Sequence, residues 1–230
     1  MNKRILINAG NTRVPIDRVR GMDNIFKGKT GAAIAEYFAL HRCFVTLLTS
    51  HPEFVKPCSG LDVVPFKTYE HFFRLMEDLV QTQPFDVIVQ SAAVSDYGVD
   101  GAFEQVGEVR KIDGKIFVQL KELDRSGKIS SDHNVLWLRT APTKKIIDLI
   151  RKPYNFKGTL VKFKLQVGMP DDKLIEIATR SMKHSGADFI VANTLEEMNA
   201  KAFIISNSGG QPVCVTREEL PARLYRALAL

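Results

Sequence analysis

The sequence predicts an α/β protein built on a doubly wound, mostly parallel sheet, and three observations carry the prediction. Short apolar runs alternate with amphipathic stretches along most of the chain, the order expected of β-α-β units. The apolar runs are nearly continuous, as in strands buried on both faces. Several of them end in glycine or other small residues, which suits a sheet whose strand ends open onto a ligand.

Each element can be justified in turn. "RILINAG" (4–10) reads as a buried strand closed by glycine. "GAAIAEYFALHR" (31–42) places Ala33, Ile34, Tyr37 and Phe38 at helical spacing, and "CFVTLLTS" (43–50) is a second strand. "TYEHFFRLMEDLVQT" (68–82) is an amphipathic helix with Phe72, Leu75, Met76 and Leu79 on one side, and "FDVIVQSAAVSDY" (85–97) is a third strand running into small residues. The middle changes character. Residues 107–123 and 128–142 alternate apolar and polar positions, the mark of half-exposed antiparallel strands. The region at about 104–140 therefore reads as an arm that pairs strands with another subunit. A helix at "TKKIIDLIRK", a strand at "GTLVKFKLQV", a helix at "DDKLIEIATRSMKHSG" and a strand at "ADFIVAN" follow. Two short strands, "AFIISN" and "PVCVT", and a final helix close the chain. With no repeat or linker, residues 1–230 read as a single domain.

Composition narrows the classes. The 230 residues are 45% hydrophobic and 25% charged, with a net charge of +6, an ordinary globular mix. The basic residues are dispersed from Arg4 to Arg226, which disfavours a nucleic-acid partner. Three cysteines, Cys43, Cys58 and Cys214, lack metal-ligand spacing, and the histidines form no metal cluster, so no metal ligands are assigned; reduced thiols point to a cytoplasmic setting. No stretch reaches the length of a membrane span.

"FKGKTG" ends like a phosphate-binding Walker loop, but six residues separate Gly21 from Gly28 where four are required, so that reading fails. A dinucleotide glycine fingerprint is also missing after the first strand, since "GNTRVP" has one glycine. Three strand ends remain as candidate site: Gly10 to Arg13, Ser91 to Tyr97, and Ala192 to Thr194. Taken singly, each is weak. Gly10 fits an ordinary strand-to-helix turn, Asp96 a helix cap, Arg20 and Lys128 solvated charges.

Together these residues resemble the phosphopantothenoylcysteine synthetases, the phosphopantothenate–cysteine ligases of coenzyme A biosynthesis, in a free-standing form. Gly10, Thr12, Ile16-Asp17, Val19-Arg20, Asn24, Gly28 and Gly31 fall in the register of that family's opening motif. "SAAVSDY", "KISS" (128–131), "VKFKL" and "ADFIVAN" match later blocks in the same order. The resemblance implies a Rossmann-like fold with a β-rich dimerisation arm, a homodimer, and a separate phosphopantothenoylcysteine decarboxylase as a partner. It implies that the carboxylate of 4′-phosphopantothenate is activated by CTP, or ATP, with Mg2+, before L-cysteine attacks. Lys128 would contact the nucleotide and stabilise charge at the activated carboxyl. Asn24 and Arg20 would hold the acyl-nucleotide, with Ala92, Ala93 and Asn193 around the substrate. The nucleotide would lie against Gly10, Asn11, Gly28, Gln90, Ser91, Ala92 and Asp96, with Pro142, Thr143, Lys144 and Phe163 beside it.

Several positions depart from the family pattern. Asn11 replaces a glycine, Val14 a glutamate, Phe26-Lys27 two serines, and Lys162 a glycine. Two lysines that contact the triphosphate align with Ser181 and Ser185, and Arg180 and Lys183 on the same helix are the expected substitutes. These departures leave a second reading open, a non-catalytic paralogue that binds nucleotide or pantothenate.

Overall fold

The computed structural model describes residues 2–230. Strand β1 (Arg4–Ala9) is followed by a small hairpin of β2 (Arg13–Pro15) and β3 (Gly21–Asp23) and by helix α1 (Lys29–Leu40). Next come β4 (Phe44–Thr49), β5 (Leu61–Pro65), α2 (Tyr69–Thr82) and β6 (Val87–Gln90). The middle holds β7 (Tyr97–Gln105), the hairpin β8 (Arg110–Ile112) and β9 (Lys115–Phe117), then β10 (Leu120–Glu122) and β11 (Leu136–Pro142). Helix α3 (Ile146–Arg151), β12 (Thr159–Gln166), α4 (Asp171–Ser185), β13 (Phe189–Thr194), β14 (Lys201–Ser206), β15 (Val213–Thr216) and α5 (Leu220–Ala227) complete the chain.

Eight strands form the main sheet in the order β15-β14-β13-β12-β6-β1-β4-β5. All are parallel from β13 to β5, while β14 and β15 run antiparallel at the far edge. The mostly parallel sheet is thus the one the apolar runs predicted. Its two faces bury different residues. On one, Ile5, Ile7, Val89 and Val161 pack with Phe38 of α1 and Leu224 of α5. On the other, Leu6, Ile88 and Leu160 pack with Phe72 of α2, Ile150 of α3 and Met182 of α4. Helix α1 carries the chain away from β1 on one face and α3 carries it away from β6 on the other, so the strand order progresses in opposite directions from these two parallel neighbours. That is the topological switch point, where α/β sheets open a crevice beyond the carboxyl ends of their strands.

Helix boundaries follow local chemistry. Thr68 caps α2, its hydroxyl accepting from the His71 N–H at 3.2 Å. Gly186, at φ +64°, ends α4 in the left-handed conformation. Three features differ from the sequence reading. Strand β5 and the β2–β3 hairpin were not foreseen, because β5 is a half-exposed edge strand of five residues and the hairpin strands have three each. The arm begins earlier than residue 104: β7 starts at Tyr97 and forms the centre of a separate three-stranded sheet, β10-β7-β11. Residues 128–135, read as part of an alternating strand, form no strand. They are tied down by side chains described below.

Candidate active site

The first strand runs at full burial up to Ala9, then turns at Gly10 with φ +90°. A Cβ at Gly10 would lie 2.1 Å from Ser50 Oγ, and one at Gly28 (φ +75°) would lie 2.0 Å from the Gly10 nitrogen. Only glycine permits these two backbones to touch. Gly28 also caps α1, which has no side-chain cap and no acidic residue in its first turn. Its free N–H groups therefore point into the crevice, a setting that favours an anion. The glycine pattern that resembled a Walker loop is this close approach of helix start to strand end.

The carboxyl end of β6 is fixed by Asn8, a fully buried amide on β1. Its Oδ1 accepts from the backbone N–H of Ser91 at 3.0 Å and of Ala92 at 2.9 Å, while its Nδ2 donates to Gln90 Oε1 at 2.6 Å. The next turn is locked by Thr12 and Ser95: the Ser95 N–H donates to Thr12 Oγ1 and Ser95 Oγ donates to the Thr12 carbonyl, both at 2.9 Å. Asn11 donates through Nδ2 to the Asn24 carbonyl, and Asn24 Nδ2 donates to the Ala93 carbonyl at 3.1 Å. Asn24 is thereby strung between the two strand ends.

These contacts enclose a cleft of about 590 Å³. Of the residues singled out in the sequence, Gly10, Asn24, Gly28, Ser91, Ala92, Ala93, Asp96, Phe163 and Asn193 line it. Asn11 lies just behind, buried, with its Oδ1 accepting from Ser50 Oγ at 3.1 Å. The Gln90 side chain is buried against Asn8, which leaves only its backbone near the cleft. Lys27, Lys29 and Arg217 contribute cationic lining that the sequence reading did not assign. Arg217 comes from the turn before α5, and no local pattern marks it.

Arg20 and Lys128 are not among the lining residues, and the reason is specific. Arg20 is engaged by Asp17, with Nε at 3.0 Å and Nη2 at 2.6 Å from Asp17 Oδ2, and Nη2 also donates to the Ile129 carbonyl at 2.7 Å. Asp17 Oδ2 accepts from the Ile129 N–H at 3.1 Å. The pair thus holds both backbone polar groups of the residue after Lys128, while Ile129 itself is buried. The Arg20 guanidinium holds the Asp17 carboxyl well below the usual carboxylate range, helped by backbone N–H donors including that of Val19. Arg125 adds bonds to the carbonyls of Ile16 at 2.7 Å and Val99 at 2.8 Å. Residues 124–130 form a strap that carries the exposed Lys128.

The other expected nucleotide contacts also sit outside the lining. Thr143 braces the Ser95–Asp96 turn, its Oγ1 donating to the Ser95 carbonyl at 2.6 Å and its N–H to the Asp96 carbonyl at 2.9 Å. Pro142 precedes it at the end of β11. The Lys144 carbonyl accepts from Tyr69 OH at 2.7 Å, and its ammonium lies 5.8 Å from the Phe73 ring centre. Arg180 is exposed and pairs with Glu176 at 3.8 Å, and Lys183 is exposed in the last turn of α4. Lys162 reaches Ser181 and Ser185, and burial pulls its pKa down.

A doubly wound sheet with a glycine-lined crevice at its switch point defines an α/β protein of the class whose ligand crevice lies beyond the strand ends. Comparison with known proteins makes this particular. The chain belongs to the family described as the DNA/pantothenate metabolism flavoprotein C-terminal domain, whose model matches residues 1–124. It is 32% identical over 232 residues to the coenzyme A biosynthesis bifunctional protein CoaBC of Thermococcus kodakarensis, covering 97% of this chain and 50% of that protein. The corresponding protein of Methanocaldococcus jannaschii is 24% identical over 231 residues, covering 96% of this chain and 49% of that one. The chain therefore spans about half the length of the curated relatives it matches. A DNA/pantothenate metabolism flavoprotein from Streptococcus pneumoniae superimposes with a TM-score of 0.80 at 26% identity, covering 99% of this chain and 98% of that one. The fold is also that of a Cab2 mutant solved with phosphopantothenate-cysteine, with a TM-score of 0.70 at 18% identity, covering 99% of this chain and 87% of that one.

Proposed function

We propose that this chain is a phosphopantothenate–cysteine ligase. One observation carries the reading: Asn11, Asn24 and Ala93 are hydrogen-bonded across the mouth of a cleft that the family motif residues line, in a chain related along 97% of its length to a coenzyme A biosynthesis protein. The carboxylate oxygen of 4′-phosphopantothenate attacks the α-phosphorus of the nucleoside triphosphate, forming the acyl-nucleotide and releasing pyrophosphate. The amine of L-cysteine then attacks the acyl carbon. The amide C–N bond forms, the nucleoside monophosphate leaves and the amine gives up a proton.

The residues suit these steps. The α1 N–H groups, Lys27 and Lys29 favour phosphate at the glycine turn. Asn24, held between Asn11 and Ala93, is positioned to orient the acyl group, and rigid placement of this kind accelerates the attack. Lys128, on its clamped strap, supplies positive charge for the developing oxyanion. Arg20 acts by holding that strap.

Mg2+ fits as an ion carried by the triphosphate. Among the described residues no three His, Cys, Asp or Glu side chains converge as a metal site, and Asp96 is the one carboxylate lining the cleft. One carboxylate with phosphate oxygens is a usual donor set for this ion. Bound there, it would neutralise phosphate charge.

CTP is the favoured nucleotide on resemblance to short bacterial members. A homodimer through the β7–β11 arm is supported by Tyr97, Trp137 and Val135, all exposed there. A single ligase domain over residues 1–230, a cytoplasmic setting and a separate decarboxylase belong to the same proposal. Among the described residues no helix is long and apolar enough to cross a membrane.

The test is pyrophosphate release from purified protein with 4′-phosphopantothenate, L-cysteine and Mg2+, comparing CTP with ATP. Release that requires phosphopantothenate, and is faster with CTP, is expected. A folded protein that binds nucleotide but releases no pyrophosphate with either would instead be the non-catalytic binder, with Asn11, Phe26 and Lys27 as the altered loop positions.

A further inference from the structure

The loop after β4 places a histidine behind Asn24. His51 is half-buried, and each of its ring nitrogens faces an oxygen. Nε2 lies 3.2 Å from Asn11 Oδ1, and Nδ1 lies 2.8 Å from Glu53 Oε1. The Asn11 amide has only one workable orientation. Its Nδ2 donates to the Asn24 carbonyl, which can only accept, so Oδ1 is the atom that faces His51. Ser50 agrees with this: its Oγ accepts from the Asn11 backbone N–H at 2.9 Å and donates to Oδ1 at 3.1 Å. A bond from His51 to Asn11 therefore needs a proton on Nε2.

Glu53 is exposed, and the His51 ring holds its carboxyl below the usual glutamate range. Its carboxylate is an acceptor only, so the second bond needs a proton on Nδ1. Only the doubly protonated imidazolium makes both bonds. A neutral ring must give one up. The carboxylate is the stronger acceptor, so the remaining proton stays on Nδ1 and the Nε2 lone pair is left facing Asn11 Oδ1. The charges around the pair are Lys27 of the glycine turn, which acts on Glu53, and Lys29 of α1, 4.9 Å from the centre of the Phe54 ring beside His51. Asn11 and Ser50, which face the ring from the ends of β1 and β4, are neutral.

We propose that His51 is a positioning residue: as an imidazolium held by Glu53, it orients the Asn11 amide and, through that amide, Asn24 at the cleft. Asn24 lines the cleft, its carbonyl bound by Asn11 and its own Nδ2 bound to the Ala93 carbonyl at 3.1 Å. The glycine that Asn11 replaces could make neither the His51 bond nor the Asn24 bond, so the relay belongs to this chain. Loss of the His51 proton turns Nε2 from donor to acceptor and releases Asn11, and the placement of Asn24 weakens as pH rises. This rests on the ligase reading above, in which Asn24 orients the acyl group.

Pyrophosphate release measured across pH tests it, comparing the whole chain with its His51→Phe variant, which keeps a ring and loses both donors. At about pH 6 the parent's kcat should exceed the variant's about tenfold, with substrate KM values within about twofold, and the ratio should approach one by about pH 9. In Glu53→Gln the neutral ring is free to keep its proton on Nε2. The ratio of that variant's kcat to that of His51→Phe should therefore change less with pH. Nuclear magnetic resonance of nitrogen-labelled histidine rings reads the same switch without turnover. Both His51 nitrogens should carry protons at the acidic end. At the alkaline end the proton should remain on Nδ1 in the parent and on Nε2 in Glu53→Gln. A parent-to-variant ratio indifferent to pH overturns the proposal, as does an alkaline parent with its His51 proton on Nε2. If His51→Phe does not fold, the resonance comparison decides, and the same alkaline tautomer in parent and Glu53→Gln overturns the relay. A parent that shows the tautomer switch but releases no pyrophosphate sinks the ligase and leaves the relay. Turnover with a ratio indifferent to pH does the reverse.

Discussion

Asp17 illustrates how a residue can serve a site it does not line. Its carboxylate and Arg20 together bind the N–H and C=O of Ile129, so the Lys128 strap is held at two points. Asp17→Asn should weaken both the Arg20 pair and the Ile129 N–H bond. The expected kinetic signature is a fall in kcat of about tenfold or more with little change in the nucleotide KM, because positioning acts on the transition state. Limited proteolysis should show faster cleavage at 124–131, and Asp17→Glu should recover part of the rate. An Asp17→Asn enzyme with the parent's kcat would remove the positioning role. The sign of the pH effect follows from the lowered pKa. The folded state binds this proton less readily than the unfolded state, whose ordinary value is 3.8. The stability from the pair is complete above that value and is lost as pH falls through the folded pKa. Acid titration followed by circular dichroism should therefore show a shallower loss of stability below about pH 4 for Asp17→Asn.

At the scale of elements, α2 shows how far periodicity carries. Tyr69, Phe72, Met76 and Val80 are its buried residues, so the stripe lies slightly to one side of the one read from sequence, where Leu75 and Leu79 are only partly buried. Phe72→Ala should cost about 3–5 kcal/mol, since the ring is wholly buried and packs 4.6 Å, centre to centre, from Phe66. Thr68→Ala, which removes only the cap, should cost about 1 kcal/mol. Urea denaturation measures both, and equal losses would mean that the helix is held by its end and not its face. Strand β5 was less legible. Its five residues lie at the sheet edge and only one partner strand pairs with them, so neither a full apolar run nor a clean alternation marks it.

At the scale of the whole molecule, the arm sheet β10-β7-β11 stands apart from the main sheet and exposes Trp137 and Leu120. A contiguous exposed apolar patch marks an interaction surface. Trp137→Glu should halve the mass measured by sedimentation if the proposed homodimer forms there, with the circular dichroism spectrum unchanged. A parent chain that sediments as a monomer would exclude it. The sequence by itself determined what is local: the buried parallel strands, the helices, the glycines at strand ends, and a motif order specific enough to mark the family. Those features depend on neighbouring residues, so spacing and residue type suffice to reveal them. Only the tertiary structure decided which polar groups meet. Asp17 and Ile129 are 112 residues apart, and Lys162 and Ser185 are 23 apart. Their contact depends on strand order and register across the sheet, which no local period encodes. That is why the bonds of Arg20 to Asp17 and Ile129, and the reach of Lys162 from β12 to Ser181 and Ser185, were not legible in the sequence.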